Sequence, residues 1–132
     1  MQRPRTLRTR AQFQALLSQP PVARTSHFAL HRRPLRAGDA LADEGSLFAP
    51  EGAPWLGAMA PKRWARRAVT RNTIRRQIAA VGASLVPPLA AGAYLVRLRA
   101  AFAREQFPSA TSVALKRAVR AELLQLFARM KA

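Results

Sequence analysis

Apolar residues recur at helical spacing in three stretches of the chain and alternate with polar ones in two. Phe13, Leu16 and Leu17 give a short apolar face just after Thr9, and Gln12 completes a capping-box pattern with that threonine, so a helix opens there. Pro20-Pro21 ends it, since neither proline donates to a helical ladder. In 26–31, Phe28 and Leu30 share one side while His27, Ala29 and His31 share the other, the period of a half-buried strand. Residues 55–60 read as a second strand. Ile74, Ile78, Val81 and Leu85 fall on one stripe at about 100° per residue. No Gly or Pro interrupts 62–81, so the spacing predicts a helix from Lys62 onward. After a turn region at 83–92, Tyr94, Val96 and Leu98 alternate with outward-facing Arg97 and Arg99. Ser109 or Ser112 is the expected cap of a closing helix packed through Leu115, Val119, Leu123, Leu126 and Met130.

The predicted order is α-β-β-β-α-β-α. This is an α+β domain with a small central sheet of about four strands, an N-terminal helix, a basic crossover helix and a C-terminal helix. Its 132 residues suit one domain, 1–132. Residues 1–8 form a basic arm carrying Arg3, Arg5 and Arg8. Residues 32–54 form a long acidic, Gly- and Pro-containing surface loop, with a short strand around 46–48.

Charge changes the picture most. Twenty-three Lys and Arg against six acids give a formal charge of +17, which self-repulsion would make costly without a polyanionic partner. Nucleic acid is the first candidate and an anionic membrane surface the second. Without Cys there is neither a disulfide framework nor a zinc ribbon. No run of about 18 apolar residues spans a bilayer, and no secretory h-region precedes the domain, so a cytoplasmic location is expected.

Seven Lys or Arg and no acid lie between Lys62 and Arg76. Traced toward the N-terminus, the apolar stripe becomes cationic, with Arg67 on its azimuth and Arg63 and Arg71 beside it. Such arginines either lay their stems over the core edge with their heads in water, or present guanidinium forks to phosphates. Absence of any acid in the run favours the polyanion.

Lys62-Arg63, then Arg66-Arg67-Ala68, then Arg71-Asn72-Thr73-Ile74-Arg75-Arg76 resembles the signature of the protein subunit of bacterial ribonuclease P. Thr73 stands where that family usually has a basic residue. The resemblance implies that Lys62, Arg63, Arg66, Arg67, Arg71, Asn72, Arg75 and Arg76 bind the catalytic RNA. It also implies a cleft for the single-stranded 5′ leader of precursor tRNA, whose matching positions are Phe13, Leu17, Phe28 and His31. Plain core packing is the equal alternative for Phe13 and Phe28. The implied partners are the ribonuclease P RNA, one protein per RNA, and precursor tRNA, with no membrane.

No catalytic constellation accompanies the charge. Four of the six acids (Asp39, Asp43, Glu44, Glu51) fall in the predicted loop, and there is no Cys nucleophile, Gly-x-Ser-x-Gly turn or Gly-rich phosphate loop. His27 and His31 have no acid near them in sequence, so a metal site is not expected. Under the resemblance the protein is an inactive accessory subunit of an endoribonuclease. The RNA carries the active site and uses Mg2+, and the protein holds no cofactor or metal. A structural RNA-binding protein such as a ribosomal one is the alternative, and a stand-alone nuclease a further one. A membrane-active cationic protein is weakest, because the apolar face of the basic helix is narrow.

Overall fold

Thr9 caps the first helix as its spacing with Gln12 requires: its hydroxyl accepts from the Gln12 amide at 3.2 Å, and the Gln12 carboxamide accepts from the Thr9 amide at 3.1 Å. In the computed structural model, which describes residues 4–34, 54–102 and 113–130, this helix is α1, Arg10–Leu17. The other helices are α2, Ala68–Ser84, and α3, Val113–Arg129. The strands are β1 (Arg5–Thr6), β2 (Ala23–Arg24), β3 (Phe28–Pro34), β4 (Pro54–Met59) and β5 (Gly92–Leu98).

The sheet has five strands in the order β1-β4-β5-β3-β2, one more than the hydrophobic pattern predicts. The surplus lies in two-residue edge strands too short for an alternation signal. β1 runs parallel to β4 through Arg5 and Thr6, so the basic arm is partly built into the sheet and Leu7 behind it is buried. β2 pairs antiparallel with β3, β3 with β5, and β4 runs parallel to β5 with α2 as the crossover.

Both faces of the sheet are covered. Phe28, Leu30, Leu56, Tyr94, Val96 and Leu98 face Ile74, Ile78 and Val81 of α2 and Leu115, Val119, Leu123, Leu126 and Phe127 of α3. On the other face, Trp55, Ala93 and Leu95 pack with Leu7 and with Leu16 of α1. The alternation in β5 therefore separates two buried faces, and the side that carries Arg97 is the α1 side. Met130 adds a partly buried contact beyond the end of α3. The loop expected over 32–54 is shorter at both ends, since 32–34 continue β3 and Pro54 opens β4; its remainder, the expected strand at 46–48 and the Ser109 or Ser112 cap lie outside the described residues.

The basic helix begins later than its composition predicts. Pro61 accepts from the amides of Trp64 and Ala65, both at 3.1 Å, which closes a turn. Arg67 is extended (φ −81°, ψ 134°), and helical bonding starts when its carbonyl accepts from the Arg71 amide. The carbonyls of Ala65 and Arg66, which a continuous helix would use internally, instead accept from Nη1 of Arg71 at 3.0 and 2.8 Å. Ala65 is drawn into the core at this bend. Lys62, Arg63 and Arg66 thus stand on a turn ahead of α2.

Candidate nucleic-acid interface

The bend divides the basic stretch into groups with different freedom. Lys62, Arg63, Arg66 and Arg67 are exposed on the turn and its exit, and the Arg63 guanidinium lies 5.3 Å from the centre of the Trp64 ring. Arg71 is half-buried and committed to the two carbonyls. Asn72, Arg75 and Arg76 are exposed on α2, with Nη2 of Arg75 donating to Oδ1 of Asn72. Thr73 is buried, its hydroxyl donates to the Val69 carbonyl at 2.8 Å, and it lines a recess with Lys116 of α3. Positions four apart on α2 rise about 6 Å along the axis, so Arg71 and Arg75 continue the line that Arg67 begins.

Nothing described neutralises this ridge. Among the described residues the only ion pair joins His27 to Glu122, and no carboxylate meets Lys62, Arg63, Arg66, Arg67, Arg71, Arg75 or Arg76. The remaining acids lie outside the described residues. Arg75 and Arg76 also line a groove of about 840 Å3, together with Phe13, Leu7, Ala79, Ala80 and Ala83.

The four expected leader-contacting residues do not meet in one cleft. Phe13 is half-buried against the α1-side cluster, and Leu17, at the end of α1, is 39% exposed. His31 is on the same side but only 3% exposed. Its Nδ1–H donates to the Gln19 carbonyl at 2.9 Å, and its Nε2 accepts from Nε of Arg97 at 3.0 Å. A ring so enclosed has no free face for a base. Phe28 is on the opposite side of the sheet, fully buried under α2 and α3. Its placement corrects the sequence expectation: alternation forces Phe28 and His31 onto opposite faces, and core packing, the alternative for Phe28, is what the structure shows.

Burial lowers the pKa of His31 below 6.5, and the positive charges of Arg97 and Arg24 press the same way against the Gln19 carbonyl that raises it. Burial also lowers the pKa of Arg97, with Arg99, Arg24 and Arg63 adding repulsion.

Two constellations were invisible in the sequence. Glu122 of α3 accepts from the Thr25 hydroxyl at 2.6 Å, from the His27 amide at 2.7 Å and from Nδ1 of His27 at 2.7 Å. His27 also stacks on Phe102, ring centres 3.9 Å apart. The histidine expected to lack an acidic partner thus has one 95 residues away, and that carboxylate is spent locking the β2–β3 turn to α3. The second is the His31–Arg97 pair, drawn together by the register of β3 and β5.

A family model described as Ribonuclease P matches residues 1–131. The chain belongs to the ribonuclease P protein family. It is 36% identical over 116 residues to the ribonuclease P protein component of Ralstonia pickettii strain 12J, covering 88% of this chain and 71% of that one. The fold is that of the Staphylococcus aureus ribonuclease P protein, with a TM-score of 0.63 at 17% identity over 93% of this chain and 92% of that one. A mutant of that protein with defective mRNA degradation activity aligns with a TM-score of 0.61 at 16% identity, over 93% of this chain and 85% of that one.

Proposed function

We propose that the chain is the accessory protein of a ribonuclease P ribonucleoprotein and assists removal of the 5′ leader from precursor tRNA in the cytoplasm. One copy binds one catalytic RNA through the ridge formed by Lys62, Arg63, Arg66, Arg67, Arg75 and Arg76, with Arg71 and Asn72 shaping its bend and its first helical turn. The leader passes along the α1 side of the sheet near Phe13 and Leu17. The RNA subunit supplies the active site and its Mg2+, and hydrolysis of one phosphodiester leaves a mature 5′ end.

The observation that carries this reading is the ridge itself, exposed and unmatched by carboxylates among the described residues. A cationic surface between two folded RNAs offsets their mutual repulsion, which lowers the metal concentration needed to bring them together. No described helix is long and apolar enough to cross a membrane. The test is cleavage of a precursor tRNA by the RNA subunit at low Mg2+, with and without the chain. Stimulated release of the leader is expected, and equal rates would end the proposal.

A further inference from the structure

The sheet face beside α1 carries cations that belong to no part of the ridge. Strand register sets Arg24 of β2, Ala29 of β3 and Arg97 of β5 in one row across three strands. Residues in one row share a face, so Arg24 and Arg97 flank a position with almost no side chain, their Cα atoms about 10 Å apart. Arg97 is half-buried and Arg24 exposed, and neither meets a carboxylate among the described residues.

His31 aims one of these two guanidiniums. The Gln19 carbonyl can only accept, so the proton sits on Nδ1 of His31, and the Nε2 lone pair is left for Nε–H of Arg97. That bond takes one of the five guanidinium donors and fixes the plane of the group. Among the described residues no hydrogen bond engages either Nη group, and together they make a fork of the kind that matches two phosphate oxygens.

We propose that Arg97, aimed by His31 and paired across the sheet with Arg24, is a phosphate clamp for the single-stranded leader. The clamp rests on the leader's course along the α1 side, and it gives that course a backbone contact independent of base identity. Arg97 is the binding residue and His31 its positioning residue. The crowding of Arg97 by Arg99, Arg24 and Arg63 is relieved when an anion arrives.

The pair is also sensitive to acid. His31 faces the carbonyls of Gln19 and Leu16 at the end of α1, Arg97 on β5 and Arg24 on β2, with no carboxylate among the described residues. A proton added to Nε2 removes the acceptor for Arg97 and sets two cations against each other. The leader's contribution should therefore fade in acid, at a pH below that at which an ordinary histidine takes up a proton, because burial holds the pKa of His31 down.

The experiment measures affinity of the assembled ribonucleoprotein for a tRNA with a leader of several nucleotides and for the same tRNA without one. The wild type should gain affinity from the leader, and Arg97→Ala should lose about tenfold of that gain. His31→Phe, which offers no acceptor, should lose as much. His31→Gln, whose carboxamide can accept from Arg97 and donate to Gln19, should keep the gain and hold it in the acid range where the wild type loses it. Full retention by Arg97→Ala, or equal behaviour of the Phe and Gln variants, overturns the clamp while leaving the leader's course intact. No leader-dependent gain in the wild type overturns both. Should His31→Phe fail to fold, as a melting curve would show, Arg97→Ala and the pH profile decide.

Discussion

Thr73 shows how one residue can sit inside a basic motif and stay out of its exposed ridge. Its side chain is turned into the seam where Val69, Asn72, Arg76, Gln77 and Lys116 line a recess of about 340 Å3. The usual basic residue at that position is thus replaced by a hydroxyl satisfied within α2. His31 makes the complementary point. Period-two alternation places it on the correct side of β3, but the closing of α1's end over the ring cannot be read from spacing, so stacking on a base was expected where burial is found. The burial carries a prediction with a definite sign. Folding lowers the pKa of His31 below its ordinary 6.5, so the folded state resists a proton that the unfolded chain takes up. The stabilising effect of the neutral ring is complete above pH 6.5 and drains away as pH falls from there toward the folded-state value. The melting temperature should drop over that window in the wild type and much less in His31→Gln. Identical pH profiles would show that the ring's protonation does not matter to the fold.

Among the elements, those with long apolar periods were legible and those set by a bend or an edge were not. The apolar side of α3 appears where its spacing predicts, as does the Thr9 capping box, because both depend on residues close in sequence. The start of α2 does not. Composition alone permits a helix from Lys62, and only the capture of two carbonyls by Arg71 and the burial of Ala65 stop it at Ala68. β1 carries no signal of its own, because its two residues gain their place from β4. Its fit is tight: a Cβ added at Gly57 would lie 3.0 Å from Cβ of Leu7, an atom that no side-chain rotation moves aside. Gly57→Ala should therefore destabilise the protein by about 1–3 kcal/mol, the usual cost of overpacking, measured by denaturant unfolding. An unchanged midpoint would mean that β1 is free to shift.

For the whole molecule, charge names the class of partner and the fold decides where that partner can sit. A formal charge of +17 is spread over many surfaces, yet among the described residues Lys62, Arg63, Arg66, Arg67, Arg75 and Arg76 stand exposed together along one turn and helix with no carboxylate between them. The ridge was legible because it is local in sequence. The α1 side was legible only in part, because which aromatics reach it depends on the sheet's two faces, and the motif match alone assigned Phe28 to the wrong one. Under the proposed function, RNA is gripped at this ridge and not by charge in general. The measurement is affinity for the ribonuclease P RNA as a function of salt, for the wild type, for Arg67→Ala with Arg76→Ala, and for Arg117→Ala with Arg120→Ala on α3. Removing two phosphate contacts should make the slope of log affinity against log salt shallower by about 1.5 in the ridge variant, with the α3 variant close to wild type. Equal losses in both double variants would contradict it.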